Sequence, residues 1–150
     1  MELEETDKKI LNVIVDNSKL SLREVAKKAS VSVATAMHHI KRLEKENIIK
    51  RYTTKLDYEK IGYDIEVAIE VRISKGKLFE VEKKIAVDPN VFAVYDITGA
   101  FDALVLARFP TRRKMDSFLK KIQTYEFVER TETKLILNTF KEEDMSVEGL

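Results

Sequence analysis

Residues 21–46 read SLREVAKKASVSVATAMHHIKRLEKE, and their spacing decides how the first third of the chain folds. Leu22, Val25, Ala26 and Ala29 recur at i, i+3, i+4 and i+7, the signature of one buried helical face. Ser21 with Glu24 three residues on is a capping box, so this helix has a defined start. A short polar interruption, Ser30-Val31-Ser32, follows. Ser32 is suited to cap a further helix, along which Val33, Ala36, Met37, Ile40 and Leu43 share the inward face. Upstream, Ile10, Leu11, Ile14 and Val15 form the stripe of another helix, with Asp7 in its first turn and Asn17-Ser18 ending it. Three short helices, the last two joined by a tight turn and followed by a basic strand over residues 49–56, have the order of a winged helix-turn-helix.

In that arrangement the third helix enters the major groove of duplex DNA, which is wide enough to admit it. Its apolar face turns inward, leaving Ala34, Thr35, His38, His39, Lys41, Arg42 and Lys45 outward. The N-terminal half of such a helix reaches base edges, so Ala34, Thr35, His38 and His39 are the expected base contacts. Lys41, Arg42 and Lys45 are expected on phosphates. Ser21, Arg23 and Ser32 stand beside helix N-termini, which favour anions, and Lys50, Arg51 and Lys55 give the following strand a basic edge. Charge distribution agrees. The net charge is only +1, yet residues 19–55 carry ten Lys/Arg against Glu24, Glu44 and Glu46 alone. A compact basic segment inside a nearly neutral chain is the footprint of a polyanion-binding surface; a solvated lysine-rich face is the other reading.

Beyond residue 62 the period changes. Ile65, Val67, Ile69, Val71 and Ile73 alternate with more polar residues, the pattern of a strand covered on one face. A helix over 77–87 is stopped by Asp88-Pro89-Asn90. Strands over 91–98 and 103–109 are separated by the hairpin-length Gly99-Ala100-Phe101-Asp102. A helix over 111–124 carries Met115, Phe118, Leu119 and Ile122 on one face, and a last strand spans 129–139. The order β-α-β-β-α-β is ferredoxin-like, with both helices on one face of an antiparallel sheet. Ala103, Leu104, Val105, Leu106 and Ala107 are apolar at every position, so both faces of that strand want cover. A homodimer joined sheet to sheet supplies it; long neighbouring side chains are the alternative.

The chain is 150 residues, 44% hydrophobic and 35% charged, which is globular rather than disordered or fibrous. Apolar runs fall far short of the roughly 20 residues that span a bilayer. The acidic start MELEETDKK is unlike a signal peptide, so a cytoplasmic protein with no membrane partner is expected. Zero Cys removes thiolate metal sites and cysteine nucleophiles. His38 and His39 point about 100° apart on a helix with no third histidine, so no metal site is expected there. Gly-rich phosphate loops and nucleophile elbows are absent; neither a cofactor nor an enzyme is expected.

The whole chain resembles the Lrp/AsnC, or feast/famine, transcription regulators. The resemblance is carried by D-K-K-I-L-N-V-I from Asp7, S-L-R-E-V-A-K-K from Ser21, V-S-V-A-T-A from Val31, I-K-R-L-E-K-E-N-I-I-K-R-Y-T from Ile40, I-G-Y from Ile61 and T-G-A-F-D from Thr98. It implies an α+β protein with a helix-turn-helix DNA-binding domain over 1–50, a linker strand and turn over 51–62, a ferredoxin-like effector-binding and oligomerisation domain over 63–140, and a C-terminal tail over 141–150. It implies a homodimer on double-stranded DNA, assembling further to a tetramer or octamer, with a free amino-acid effector at Thr98, Gly99, Ala100, Phe101 and Asp102. Two positions depart from the family pattern. His39 stands where an Arg is common, and Ala100 where the effector loop usually has an acidic residue. An ordinary hairpin turn also accounts for Gly99 and Asp102. An effector-independent or architectural DNA-binding regulator and a stand-alone amino-acid sensor or assembly module are the competing functions.

Overall fold

The computed structural model describes residues 2–150, which divide into two compact units. The first holds the chain up to Lys55 together with Lys141–Leu150; the second is Leu56–Phe140.

In the first unit α1 (Glu5–Asp16), α2 (Leu22–Lys28) and α3 (Val33–Lys45) enclose Ile10, Val25, Ala26, Ala29 and Ala36. Their ends are set by local chemistry. Ser21 N–H donates to Glu24 Oε2 at 2.7 Å while Glu24 N–H donates to Ser21 Oγ at 3.2 Å, the capping box read from the sequence. Ser32 Oγ accepts from Thr35 N–H at 3.1 Å at the start of α3. At the other end of α3 Asn47 takes a left-handed φ of 55° and Ile48 N–H returns to Leu43 O at 2.9 Å, which satisfies carbonyls the helix leaves open.

The spacing along α3 predicts Val33 and Met37 on its inward face, but they are 43% and 42% exposed. The buried face of α3 is instead centred on Ala36, His39 and Leu43. At about 100° per residue Met37 then lies a quarter-turn outside it. The strand expected over 49–56 is also absent: that segment makes no strand among the described residues. Its β-prone side chains have no ladder partner in one chain, and a strand without a partner leaves its backbone groups to water. Tyr52 instead donates its hydroxyl to Glu44 Oε1 at 2.9 Å.

Within the first unit, the C-terminal residues bond to α1. Val147 N–H donates to Asn12 Oδ1 at 2.8 Å, and Lys8 Nζ donates to the Leu150 main-chain oxygen at 2.8 Å.

The second unit comprises β1 (Ile65–Ile73), α4 (Leu78–Ala86), β2 (Val91–Asp96), β3 (Ala103–Phe109), α5 (Arg112–Gln123) and β4 (Val128–Leu135). The strands lie in the antiparallel order β2-β3-β1-β4, the topology expected for a ferredoxin-like domain. Because strand side chains alternate, Val67, Ile69 and Val71 share a face with Ala107, Val105 and Ala103, and onto it Val81, Ile85, Phe118 and Ile122 pack from the helices. No helix or strand of this unit layers the opposite face among the described residues. Ala68 pairs with Leu106 and Glu70 with Leu104 there, both leucines half-buried, while Tyr95, opposite Leu104, is exposed. Arg108 bonds Glu66 Oε2 at 2.8 Å beside them, and Lys134 pairs with Glu70.

Candidate nucleic-acid interface

The surface of α3 is best understood from what holds its rear. Asp7 is fully buried at the start of α1, where its Oδ2 accepts Glu4 N–H at 2.8 Å. Two residues of α3 converge on the same carboxylate: His39 Nδ1 on Oδ1 at 2.8 Å and Arg42 Nη2 on Oδ2 at 2.6 Å. Arg42 Nη1 also reaches Glu4. Burial pushes the Asp7 carboxyl up, but the hydrogen bonds from His39, Arg42 and the Glu4 backbone outweigh it and hold its pKa below the usual value. Asp7 is therefore an ionised acceptor, and His39 Nδ1 carries the proton it donates.

This overturns the outward placement of two residues. His39 is 8% exposed and Arg42 is half-buried, its charge answered by two carboxylates. They fasten α3 to α1. Residues three apart share a helical face, so once Asp7 recruits one of them it recruits the other. The departure at His39 thus falls on an internal contact. Asp7 and Glu4 were not singled out as partners; the available signal was an acidic first turn on α1 opposite a His/Arg pair at i, i+3.

What remains outward is a continuous stripe. Ala34, His38, Lys41 and Lys45 are exposed at i, i+4, i+7 and i+11, with Met37 beside His38. Thr35 is half-buried and its Oγ1 sits 2.8 Å from Ser32 Oγ, so both hydroxyls are engaged in capping. Ser21 is engaged likewise in its own box. Arg23, Lys50 and Arg51 are exposed. A helix face carrying two ammonium groups, an imidazole and small or flexible apolar groups can meet both phosphates and base edges.

In the second unit the loop between β2 and β3 is built around one carboxylate. Asp102 Oδ2 accepts Ile73 N–H at 2.7 Å, and Asp102 N–H donates to Val71 O at 3.0 Å. Ile73 stands where the β1–β4 register shifts, so the side chain supplies a bond the ladder does not. Gly99 has φ 113°, a conformation costly for any residue with a Cβ. Phe101 is half-buried under the Arg130 guanidinium, 5.5 Å from the ring centroid; Thr98 and Ala100 are exposed. At the loop's entrance Glu82 of α4 faces Asp96. Burial first, then the hydrogen bond and negative charge of Asp96, push the Glu82 carboxyl up to about 7. Because folding raises this pKa, its contribution is complete below the ordinary Glu value and is lost as pH rises toward about 7. Glu82→Gln is expected to flatten the fall in stability of this unit between pH 5 and 7, as followed by thermal unfolding; an unaltered pH profile would show that Glu82 titrates normally.

Comparison with known proteins places both units. Residues 3–50 match the family model for winged helix-turn-helix DNA-binding domains, and residues 66–146 that for the Lrp/AsnC ligand binding domain. An uncharacterized HTH-type transcriptional regulator of Pyrococcus furiosus is 41% identical over 143 residues, covering 95% of this chain and 97% of the relative. Among solved structures, a Neisseria meningitidis transcriptional regulator crystallised with L-Met superimposes with a TM-score of 0.88 at 24% identity, over 95% of this chain and 94% of that one. AsnC of E. coli does so with a TM-score of 0.89 at 20% identity, over 97% and 99%. No helix among the described residues is long and apolar enough to cross a membrane. With both units matched in order and a relative aligned almost end to end, the chain belongs to the Lrp/AsnC family of DNA-binding transcription regulators, which are not enzymes.

Proposed function

We propose that this protein recognises specific DNA sequences through the exposed stripe of α3, acts as a homodimer closed across the open face of its sheet, and answers to a free amino acid at the 98–102 loop. The observation that carries the reading is the division of labour on α3. His39 and Arg42 are spent on Asp7, while Ala34, His38, Lys41 and Lys45 are left together on the exposed side, where His38 meets only the edge of the His39 ring. His38 and Met37 are the base-reading groups, with Ala34 beside them; Lys41 and Lys45, with Arg23, Lys50 and Arg51, meet phosphates. Thr35, Ser21 and Ser32 act by setting the helix starts. The dimer follows from half-buried Leu104 and Leu106 and exposed Tyr95 on a face with no covering layer; assembly to a tetramer or octamer extends the same reading.

His38→Ala is expected to lose about 1 to 3 kcal/mol on a specific duplex relative to random DNA. Lys41→Ala should weaken both duplexes alike and make the slope of log K against log[salt] shallower by about 0.9. Fluorescence anisotropy titrations at several salt concentrations measure both, and equal losses on both duplexes for His38→Ala would remove it from base reading. Half-sites for a dimer should lie about 34 Å or a multiple apart in a footprint.

The effector assignment draws on the L-Met bound by the Neisseria regulator. One observation favours a second reading, an effector-independent regulator. Ala100 leaves the loop with a single carboxylate, and Asp102 Oδ2 already accepts Ile73 N–H, so a ligand ammonium has only the remaining acceptor sites of Asp102 as an acid within the loop. Thermal unfolding across the twenty amino acids separates the two. A ligand at 100 times its dissociation constant adds about 2.7 kcal/mol, whereas no shift with any of them selects the effector-independent regulator.

A further inference from the structure

We propose that the outer face of α5 is a second DNA-backbone surface, in the regulatory unit, which follows the duplex outside the operator. It rests on the DNA-binding reading of this chain.

The sequence RRKMDSFLKKIQ turns Phe118 and Ile122 into the core and leaves Arg112, Arg113, Lys114, Lys120 and Lys121 exposed, with Asp116 the helix's one acid. What sets four of these cations apart is that no carboxylate or ring answers them. Elsewhere in the same unit Lys60, Arg72, Lys77, Arg108 and Lys134 each pair with a carboxylate. Lys83, Lys84 and Arg130 lie over aromatic rings; Lys75 is the exception. On α5, no ion pair or ring contact is made by Arg112, Arg113, Lys114 or Lys120 among the described residues, and Lys121 reaches only Asp88 at 3.9 Å.

The arrangement opposes stability. Arg112, Arg113 and Lys114 occupy the first turn, the end where the helix dipole disfavours cations, and that turn holds no acid. An external polyanion relieves both the self-repulsion and the dipole mismatch. The face also fits phosphate better than protein or membrane. Between Arg113 and Lys120 the outward position is Ser117, with no exposed apolar side chain along the helix to anchor a protein interface or enter a bilayer. From Arg113 to Lys121 the helix rises about 12 Å, a span over which duplex DNA presents about seven phosphate charges.

The test pairs Arg113→Gln/Lys120→Gln with a control of equal charge loss, Lys60→Gln/Lys75→Gln, in the full chain. Affinity is measured against salt on a selected operator of about 25 base pairs, enough for two half-sites one turn apart, and on the same operator inside a duplex three times longer. The α5 variant is expected to match wild type on the short duplex and to show a slope shallower by about 1.8 on the long one, about 0.9 per lost contact. The control keeps the wild-type slope on both. A slope that falls equally on both duplexes, or on neither, overturns the proposal, as does a long-duplex loss shared by the control. A changed sedimentation coefficient of the free protein with unaltered DNA slopes would assign the face to self-association instead. Failure of wild type to prefer the operator over random DNA would count against the DNA-binding reading itself.

Discussion

Asp7→Ala should destabilise the DNA-binding unit by about 3 to 5 kcal/mol, the cost of removing one partner from a buried charged cluster. The carboxylate is fully buried and receives three donors: Glu4 N–H, His39 Nδ1 and Arg42 Nη2. Alanine supplies no acceptor, so buried His39 Nδ1–H loses its partner, Arg42 keeps only Glu4, and the face of α3 that holds it to α1 loses its anchor. Urea unfolding of the variant against wild type measures the loss. DNA affinity should fall for specific and random duplexes alike, since the orientation of α3 is lost rather than a base contact. The acid side carries the same signature. Folding lowers the Asp7 pKa, so its contribution is present above the unfolded-state carboxyl value and disappears as pH falls through the folded one. Wild type should therefore lose stability in acid more steeply than the variant. A cost below about 1 kcal/mol would mean that the cluster contributes no more than an ordinary surface pair.

Phe109→Ala should cost about 3 to 5 kcal/mol in the other unit, the range for truncating a buried aromatic. Its ring is 1% exposed at the end of β3 and lies 5.3 Å from that of Phe118 on α5. The cavity would open between sheet and helix, where β3 is paired on both sides and has little freedom to collapse. The two cores share no residue, so calorimetry should show the transition of the regulatory unit moving down while that of the helix-turn-helix unit stays in place. Asp7→Ala should do the reverse. Transitions that shift together in both variants would show that the units unfold as one.

Ser21 with Glu24, and Ser32 with Thr35, start α2 and α3 because a cap is a contact among neighbours in the chain. The alternation from Ile65 to Ile73 assigns its buried face for the same reason: period two leaves no other way to cover it. The helix pair, the β-α-β-β-α-β order and the Gly99 turn follow from local rules of this kind. The 49–56 segment was misjudged because a strand depends on a partner, which local propensity does not report.

The rotation of α3 was out of reach for a deeper reason. Met37 satisfies the inward spacing as well as His39 does, and hydrophobicity alone favours Met37. The balance is tipped by a buried carboxylate 32 residues upstream of His39, whose desolvation is tolerable only if donors come to it. Likewise Asp102 reads as a turn residue until β1 is folded beside it and Ile73 N–H needs an acceptor. Sequence by itself determined the helices, the four strands of the second unit, their order and the basic character of the DNA-facing segment, because those arise from neighbours within a turn or two. Tertiary structure alone decided which charges are spent inside and which stay free for a ligand, because a buried charge must find its counterpart wherever in the chain that counterpart lies.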